Sequence, residues 1–486
     1  MKKIILLALT CAFMLTKNMF AQTVPDMIER SLSSVVTVVI YDMTEEKSLL
    51  GFRGATDIAY AKSLDLTGAL GTGSGFVVEY NAKKYIITNA HVIDKASDKA
   101  GSIIVYSIDR TKYETKLVGG DSFYDLAVLE FISPVGKEIS TLKFKTTESR
   151  VGEQVFAIGN PLGEYPYSVS DGIISAKNRV RGGLTGKFGF IQSTATVIWG
   201  NSGGPLIDVK GDVVGVNSQI AFAKTPDNST LWQPQINFAL ESSVCQRIIN
   251  DVLTNNGRVR RAYIGIEISQ SYEQIYDGRN KRWELADLLP LITGTLPGSP
   301  AESDLKNKTG FAIIKVGDVE TRNIEEVLGE FEKVKPGANI VLTLLKKGDN
   351  FKTTVNIKTT ELAASHLETL ASYQFSKDKT FKLSNASNGV WITYNPGYAD
   401  RYENRQKRMY QGASTEWKII SAGLKTNEES TMWKVESLTD FGAALRLVGL
   451  SGYYNINVIN KHDPEAQTAG IYISGNENVL QTVLWY

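Results

Sequence analysis

Between residue 22 and about residue 250, apolar positions come in short runs separated by glycine and polar turns. The runs are Val35 to Ile40, Gly75 to Val78, Tyr85 to Thr88, Leu126 to Phe131, Gln154 to Ile158 and Val213 to Val216. Runs of this length, closely spaced and punctuated by turn residues, predict a barrel or sandwich of many strands. Two stretches with helical spacing, Pro25 to Leu32 and Leu240 to Leu253, bracket the β-rich part. The pattern pauses at Asn255, Asn256 and Gly257, and the cations Arg258, Arg260 and Arg261 precede a new strand, Tyr263 to Ile268. A domain boundary is placed there. From 262 to about 360 the reading is mixed: a turn at Pro297 to Pro300, strands Phe311 to Val316 and Ile340 to Leu345, and a helix Ile324 to Lys333. A hairpin at Lys347 to Asn350 leads into a last strand, Phe351 to Ile357. Beyond a helical Glu361 to Tyr373, the chain alternates in the strand manner around Trp391, Trp417 and Trp433, as an independent β domain would.

The amino terminus changes this picture. Lys2 and Lys3 precede an apolar run, Ile4 to Leu15, and Phe20-Ala21 offers a small residue at a cut, the layout of a cleaved export signal. The run is too short to cross a bilayer, which takes about 20 apolar residues, so no membrane span is expected after cleavage. Cys11 sits inside that run, with bulky Leu9 two places before it, and is not read as a lipid attachment site. The expected domains are thus residues 1–21 as signal, 22–255 and 256–360 as two folded units, and 361–486 as a third of unknown role, and a periplasmic or secreted location follows. With Cys11 removed, Cys245 is the only cysteine left, so no internal disulfide forms and a buried structural thiol is expected. Composition then narrows the partners. Lys plus Arg (53) nearly cancels Asp plus Glu (52), which excludes a global field for nucleic acid or anionic lipid. No cluster of His, Cys or carboxylates has zinc spacing, so neither metal nor cofactor is expected.

The segment that carries chemistry is Gly200 to Pro205, with Ser202 between Asn201 and Gly203-Gly204. A nucleophilic serine needs an exposed hydroxyl on a tight turn whose amides converge on the developing oxyanion, and glycines permit that approach. A serine also needs a base. The chain has three histidines, and only His91, at the end of the apolar run from Tyr85, lies in the β region that holds Ser202. The third member should be a carboxylate held in a dry place. Asp125 opens the run Leu126 to Leu129 and is the best candidate, with Asp121 as the fallback, whose ordinary role would be a solvated turn or cap.

The order His, Asp, Ser in one β-rich domain resembles the chymotrypsin fold, and the surrounding stretches are similar to those of the HtrA family. They are Gly71 to Val78, Thr88 to Val92, Tyr124 to Val128, Ile158 to Gly163, Val169 to Ser175 and Gly200 to Pro205. The resemblance spans residues 25 to about 360. It implies a mostly β protein: a chymotrypsin-like double β-barrel with the site between the barrels, followed by an α+β PDZ domain and an all-β C-terminal domain. It further implies an oxyanion hole from the amides of Gly200 and Ser202, and an ATP-independent endopeptidase that cleaves unfolded or damaged polypeptides in the cell envelope. Assembly would be a homotrimer built through about Val24 to Ile40, with the insertion from Asp42 to Leu70 standing where the family has a regulatory loop. Two departures matter. Ile198-Trp199 stand before Gly200 where the family usually has Asn-Pro, and Gln192 to Thr196 replaces an acidic, alanine-rich run. The specificity pocket, expected around Thr196, Ile198, Trp199 and Asn217, has no carboxylate and should favour small aliphatic side chains. Tyr263, Ile264, Gly265 and Ile266 resemble the peptide-binding loop of a PDZ domain, although Gly310-Phe311 stands where Gly-Asp is usual. The alternatives are a binding or chaperone protein with idle machinery, suggested by Trp199, and a secreted peptidase targeted by its last domain.

Overall fold

A computed structural model describes residues 23–42 and 70–484, apart from 161–164, 181–185, 225–229, 271, 278, 280, 288, 347–350, 378–380, 395–415, 426–429, 448–452, 461–468 and 475–480. The expected signal segment, most of the Asp42 to Leu70 insertion, the hairpin at Lys347 to Asn350 and part of the Ile158 to Gly163 stretch lie outside the described residues.

After helix α1 (Val24–Leu32), six strands close a barrel: β1 (Val35–Ile40), β2 (Gly71–Tyr80), β3 (Lys83–Thr88), β4 (Ile103–Tyr106), β5 (Lys112–Asp121) and β6 (Leu126–Phe131). A short helix, α2 (Ala90–Ile93), follows β3. A second barrel contains β7 (Gln154–Gly159), β8 (Ser168–Arg179), β9 (Phe190–Ser193), β10 (Pro205–Asp208), β11 (Val213–Lys224) and β12 (Thr230–Glu241). The mostly β class and the double barrel are as the sequence predicts. Why the strands read as unbroken apolar runs is visible in the packing. Val77, Ala127 and Leu129 point into the first barrel, and Val155 and Ala157 into the second. Their alternate neighbours Phe76, Val78, Leu126, Val128, Phe156 and Ile158 join one cluster shared by both barrels. Both faces are therefore dry, and the two-residue polar alternation of a half-exposed sheet disappears.

Helix α3 (Ser242–Thr254) closes the barrel region, burying Val244, Cys245, Ile248, Ile249 and Val252 in the shared cluster. Cys245 is fully buried and its thiol donates to the Leu240 carbonyl at 3.3 Å; burial pushes the thiol well above its ordinary titration range, leaving it a structural group.

Beyond residue 262 the expected strand Tyr263 to Ile268 is split at Gly265, whose φ of 77° cannot continue a strand, into β13 (Ala262–Tyr263) and β14 (Ile266–Gln270). A hairpin of β15 (Tyr272–Asp277) and β16 (Arg282–Asp287) precedes β17 (Leu291–Thr295), α4 (Glu302–Leu305), β18 (Phe311–Val316), β19 (Val319–Glu320) and α5 (Ile324–Phe331). Then come β20 (Asn339–Lys346), β21 (Lys352–Lys358) and β22 (Thr360–Glu361). The main sheet runs β21-β20-β18-β17-β14 and ends on β29 (Gln481–Leu484), which pairs antiparallel with β14 from far along the chain. The last region has α6 (Ala364–Lys377), β23 (Phe381–Ala386), β24 (Gly389–Tyr394), β25 (Glu416–Lys425), β26 (Ser430–Lys434), α7 (Leu438–Leu447), β27 (Tyr453–Asn460) and β28 (Ala469–Ser474). The all-β expectation for this region is thereby amended to α+β: Phe441, Ala444 and Leu445 of α7 recur at helical spacing and bury against Leu370 and Ala371 of α6. The three tryptophans do lie in strands, with Trp417 and Trp433 buried.

Candidate active site

β3 delivers Thr88 and Asn89 to the seam between the barrels, and the chain turns at once into α2, so His91 sits in the first turn of a helix rather than at a strand end. Its side chain is 10 % exposed, and that of Asp125 is wholly buried. Asp125 follows the β5–β6 hairpin with a φ of 60°, a left-handed conformation that is uncommon for a side chain of its size. The carboxylate grips His91 twice: Oδ2 lies 2.7 Å from Nδ1 of the ring, and Oδ1 accepts the His91 backbone N–H at 2.9 Å. Ser218 Oγ donates to the same Oδ2 at 2.7 Å, and Asn89 Nδ2 donates to the Asp125 carbonyl at 2.8 Å. A buried carboxylate with its oxygens occupied in this way can only hold the imidazole with Nδ1 protonated, leaving Nε2 as a base.

The Ser202 turn is fixed from three sides. The Ser202 carbonyl accepts the Ser74 N–H at 2.9 Å, and Gly203 N–H donates to the Asn217 carbonyl at 2.9 Å. Ser74 Oγ donates to the Gly200 carbonyl at 2.7 Å and accepts the Asn160 N–H at 2.8 Å. Gly203 has a φ of 84°, and a methyl group there would come within 2.2 Å of the Ser74 carbonyl oxygen and 2.4 Å of Thr88 Oγ1. The serine turn thus lies directly against the residues that lead into His91. Gly200 has a φ of 95° in a turn closed by Asn201 N–H to the Ile198 carbonyl at 3.0 Å, the positive φ that a type II turn needs at its third position. Ile198 and Trp199 occupy the first and second positions, which accept any residue, so the departure from Asn-Pro leaves the turn intact. The Trp199 ring is 39 % exposed and lies against Phe222, 6.0 Å between centroids.

The other expected residues divide. Thr196 is half-buried, and its carbonyl accepts Ser170 Oγ at 2.7 Å. Asn217 is buried, with its N–H bonded to the Gly204 carbonyl and its amide nitrogen to the Pro205 carbonyl, so it braces the serine turn. Tyr263, Ile264 and Ile266 are buried. The Gly265 carbonyl accepts the Leu296 N–H and the Ile264 carbonyl the Ala301 N–H, both at 2.9 Å. Asp121 takes the cap role foreseen for it, accepting the Phe123 N–H at 3.0 Å and pairing with Arg261. Ser218 and Ser74 were not singled out in the sequence. The signal for Ser218 was the abrupt polar pair Asn217-Ser218 ending the run Val213 to Val216; Ser74 lay inside the glycine-rich Gly71 to Gly75.

Two barrels with this constellation in their seam define a trypsin-like peptidase, and residues 73–216 match the family model described as a trypsin-like peptidase domain. Among curated proteins, the chain is similar to serine endoprotease DegS of Salmonella typhimurium, 32 % identical over 300 residues that cover 60 % of this chain and 78 % of that protein. It is also similar to probable periplasmic DegP-like endoproteases of Hahella chejuensis, 32 % identical over 292 residues, 60 % of this chain and 57 % of that one, and Chlamydia trachomatis, 30 % identical over 296 residues, 59 % and 53 %. The chain belongs to the HtrA-type family of serine endoproteases, of which DegP and DegS are members. It spans about half the length of the DegP-like relatives. Among solved structures it aligns with a serine endoprotease of Yersinia pestis, TM-score 0.46 and 26 % identity over 70 % of this chain and 98 % of that one. The HtrA-type protease AlgW with a bound tripeptide aligns with TM-score 0.49 and 22 % identity over the same shares.

Proposed function

We propose that this protein is an ATP-independent serine endopeptidase of the cell envelope that cleaves unfolded or damaged polypeptides through His91, Asp125 and Ser202. The observation that carries the reading is the doubly held imidazole: one buried carboxylate binds both the ring and the backbone of His91, beside a turn that presents Ser202. In this mechanism Nε2 of His91 takes the Ser202 proton as Oγ attacks the scissile carbonyl, then gives it to the leaving amine; Asp125 fixes the ring throughout. The amides of Gly200 and Ser202 receive the oxyanion, and acyl-enzyme hydrolysis repeats the sequence with water. The idle alternative lost its motive once Trp199 was found packed on Phe222 beside a turn of ordinary geometry.

Residues 256–360 serve as the PDZ domain in this reading, with Tyr263 to Ile266 as the peptide-binding loop; the sheet of β14 and β17 with α5 supports it. A location in the periplasm or outside the cell is supported by the names of the DegP-like relatives and by the absence, among the described residues, of a helix long and apolar enough to cross a membrane. A homotrimer through the segment from Val24 to Ile40 is part of the same proposal. Digestion of casein by the wild type beside Ser202→Ala, with a serine-directed fluorophosphonate as label, tests the enzymatic core. Both activities are expected to vanish in the variant, and digestion that survives it refutes the assignment.

A further inference from the structure

Asp125 is the last residue of a four-residue hairpin loop closed by the pairing of Asp121 with Leu126. Ser122, Phe123, Tyr124 and Asp125 are all buried, and the groups that bury them come from later parts of the chain. Asp121 caps the turn through the Phe123 N–H, while its carboxylate also pairs with Arg261, just before β13. The Arg261 guanidinium lies over the Phe123 ring at 5.0 Å and near Tyr124 at 5.8 Å. Arg446, on α7 of the C-terminal region, lies over the same Phe123 ring at 4.4 Å. Tyr124 donates its hydroxyl to Glu332, at the end of α5, at 3.0 Å, and Arg247 of α3 bonds the Glu332 carbonyl at 2.9 Å.

These contacts surround a strained point. A left-handed aspartate persists only where its neighbours over-determine it. The side chains immediately before Asp125 are the ones held by Arg446 and Glu332. A cavity of about 590 Å³ adjoins the loop, lined by Asp121, Phe123, Arg258, Arg261, Asp440 and Arg446. Close packing therefore does not seal this junction, and the cation on the ring is what holds Phe123 from that side. We infer that Arg446 and Glu332 are positioning residues for the triad: by holding Phe123 and Tyr124 they fix the backbone of Asp125 and so the aim of its carboxylate at His91. The C-terminal region, for which the sequence offered no role, thus sets turnover from outside the barrels. The inference rests on the triad reading above, since it assigns these residues to the orientation of that triad.

The test uses the full chain carrying Arg446→Met, Arg446→Lys, Glu332→Gln or Tyr124→Phe, with thermal melting as the check on folding. Each is assayed for kcat and KM on an unfolded substrate and for the rate of fluorophosphonate labelling at Ser202, which reads activation of the serine without the substrate. Arg446→Met is expected to lower kcat and labelling rate together by about tenfold with KM within about twofold, as loss of alignment does. Arg446→Lys, which keeps a cation for the ring, should recover to within about threefold of wild type. Tyr124→Phe and Glu332→Gln should lower both rates by a similar factor to each other, and they carry the test if Arg446→Met does not fold. Folded variants with wild-type kcat and labelling overturn the inference alone. An inert wild-type chain overturns the triad reading and the inference with it.

Discussion

The serine turn and the aspartate hairpin meet at one site, but they are secured in different ways. Everything that holds Ser202 and its neighbours, from Ser74 and Thr88 to Asn160 and Asn217, belongs to the two barrels. The hairpin before Asp125 is held instead by Arg261, Glu332 and Arg446, three residues that lie outside them. The nucleophile's geometry is thus intrinsic to the barrel pair, whereas the orientation of the base depends on what is attached to it. A protease built this way can keep a preformed serine turn while the rest of the chain tunes how well it is activated.

The comparison is broken most severely at its shared centre. Asp125→Asn should lower kcat by about 10⁴-fold while leaving the fold intact, because the amide presents an N–H to Nδ1 and selects the wrong tautomer. Asp121→Asn, at the other end of the hairpin, keeps an acceptor for the Phe123 N–H and loses only the Arg261 charge pair, so a drop of about threefold is expected on the same assay. A large effect there would show that the fallback carboxylate had been misjudged. On the serine side, Gly203→Ala should reduce activity by more than about a hundredfold and lower the melting temperature, since the left-handed backbone and a contact of 2.2 Å with the Ser74 carbonyl both oppose a methyl group. Ser218→Ala removes one of the donors on Asp125 Oδ2 and should cost about tenfold in kcat with unchanged KM.

The smallest effect concerns the junction of the later regions. Burial lowers the pKa of His366 from its ordinary 6.5, and its ring stacks on Tyr263 at 4.2 Å. Because the folded value is depressed, the unfolded chain binds the proton more readily, and the stability this contact gives is present above about pH 6.5 and lost as the pH falls below it. Melting at about pH 7.5 and about pH 5.5 should show a smaller difference for His366→Gln than for wild type.

Much of this was legible in the chain. The runs at Val35 to Ile40 and Leu126 to Phe131 coincide with β1 and β6 because strands dry on both faces advertise themselves by composition alone. His91, Asp125 and Ser202 could be selected because one histidine, one carboxylate at a strand start and one glycine-flanked serine shared a domain. Strands such as β8, with half of its side chains exposed and a polar sequence, gave no such run. Ser218, Glu332 and Arg446 were illegible for a different reason: each acts through a partner 93 to 323 residues away, Ser218 on Asp125 and Arg446 on Phe123 at the two extremes. Local pattern holds no trace of such contacts. Helix α7 escaped notice because tryptophan-marked strands flank it.

The most direct measurement is the rate at which a serine-directed fluorophosphonate labels the full chain, followed by mapping of the modified residue. The account predicts stoichiometric labelling at Ser202 that falls by orders of magnitude in His91→Ala and by about 10⁴-fold in Asp125→Asn. Labelling at Ser202 that is as fast in His91→Ala as in the wild type would contradict it.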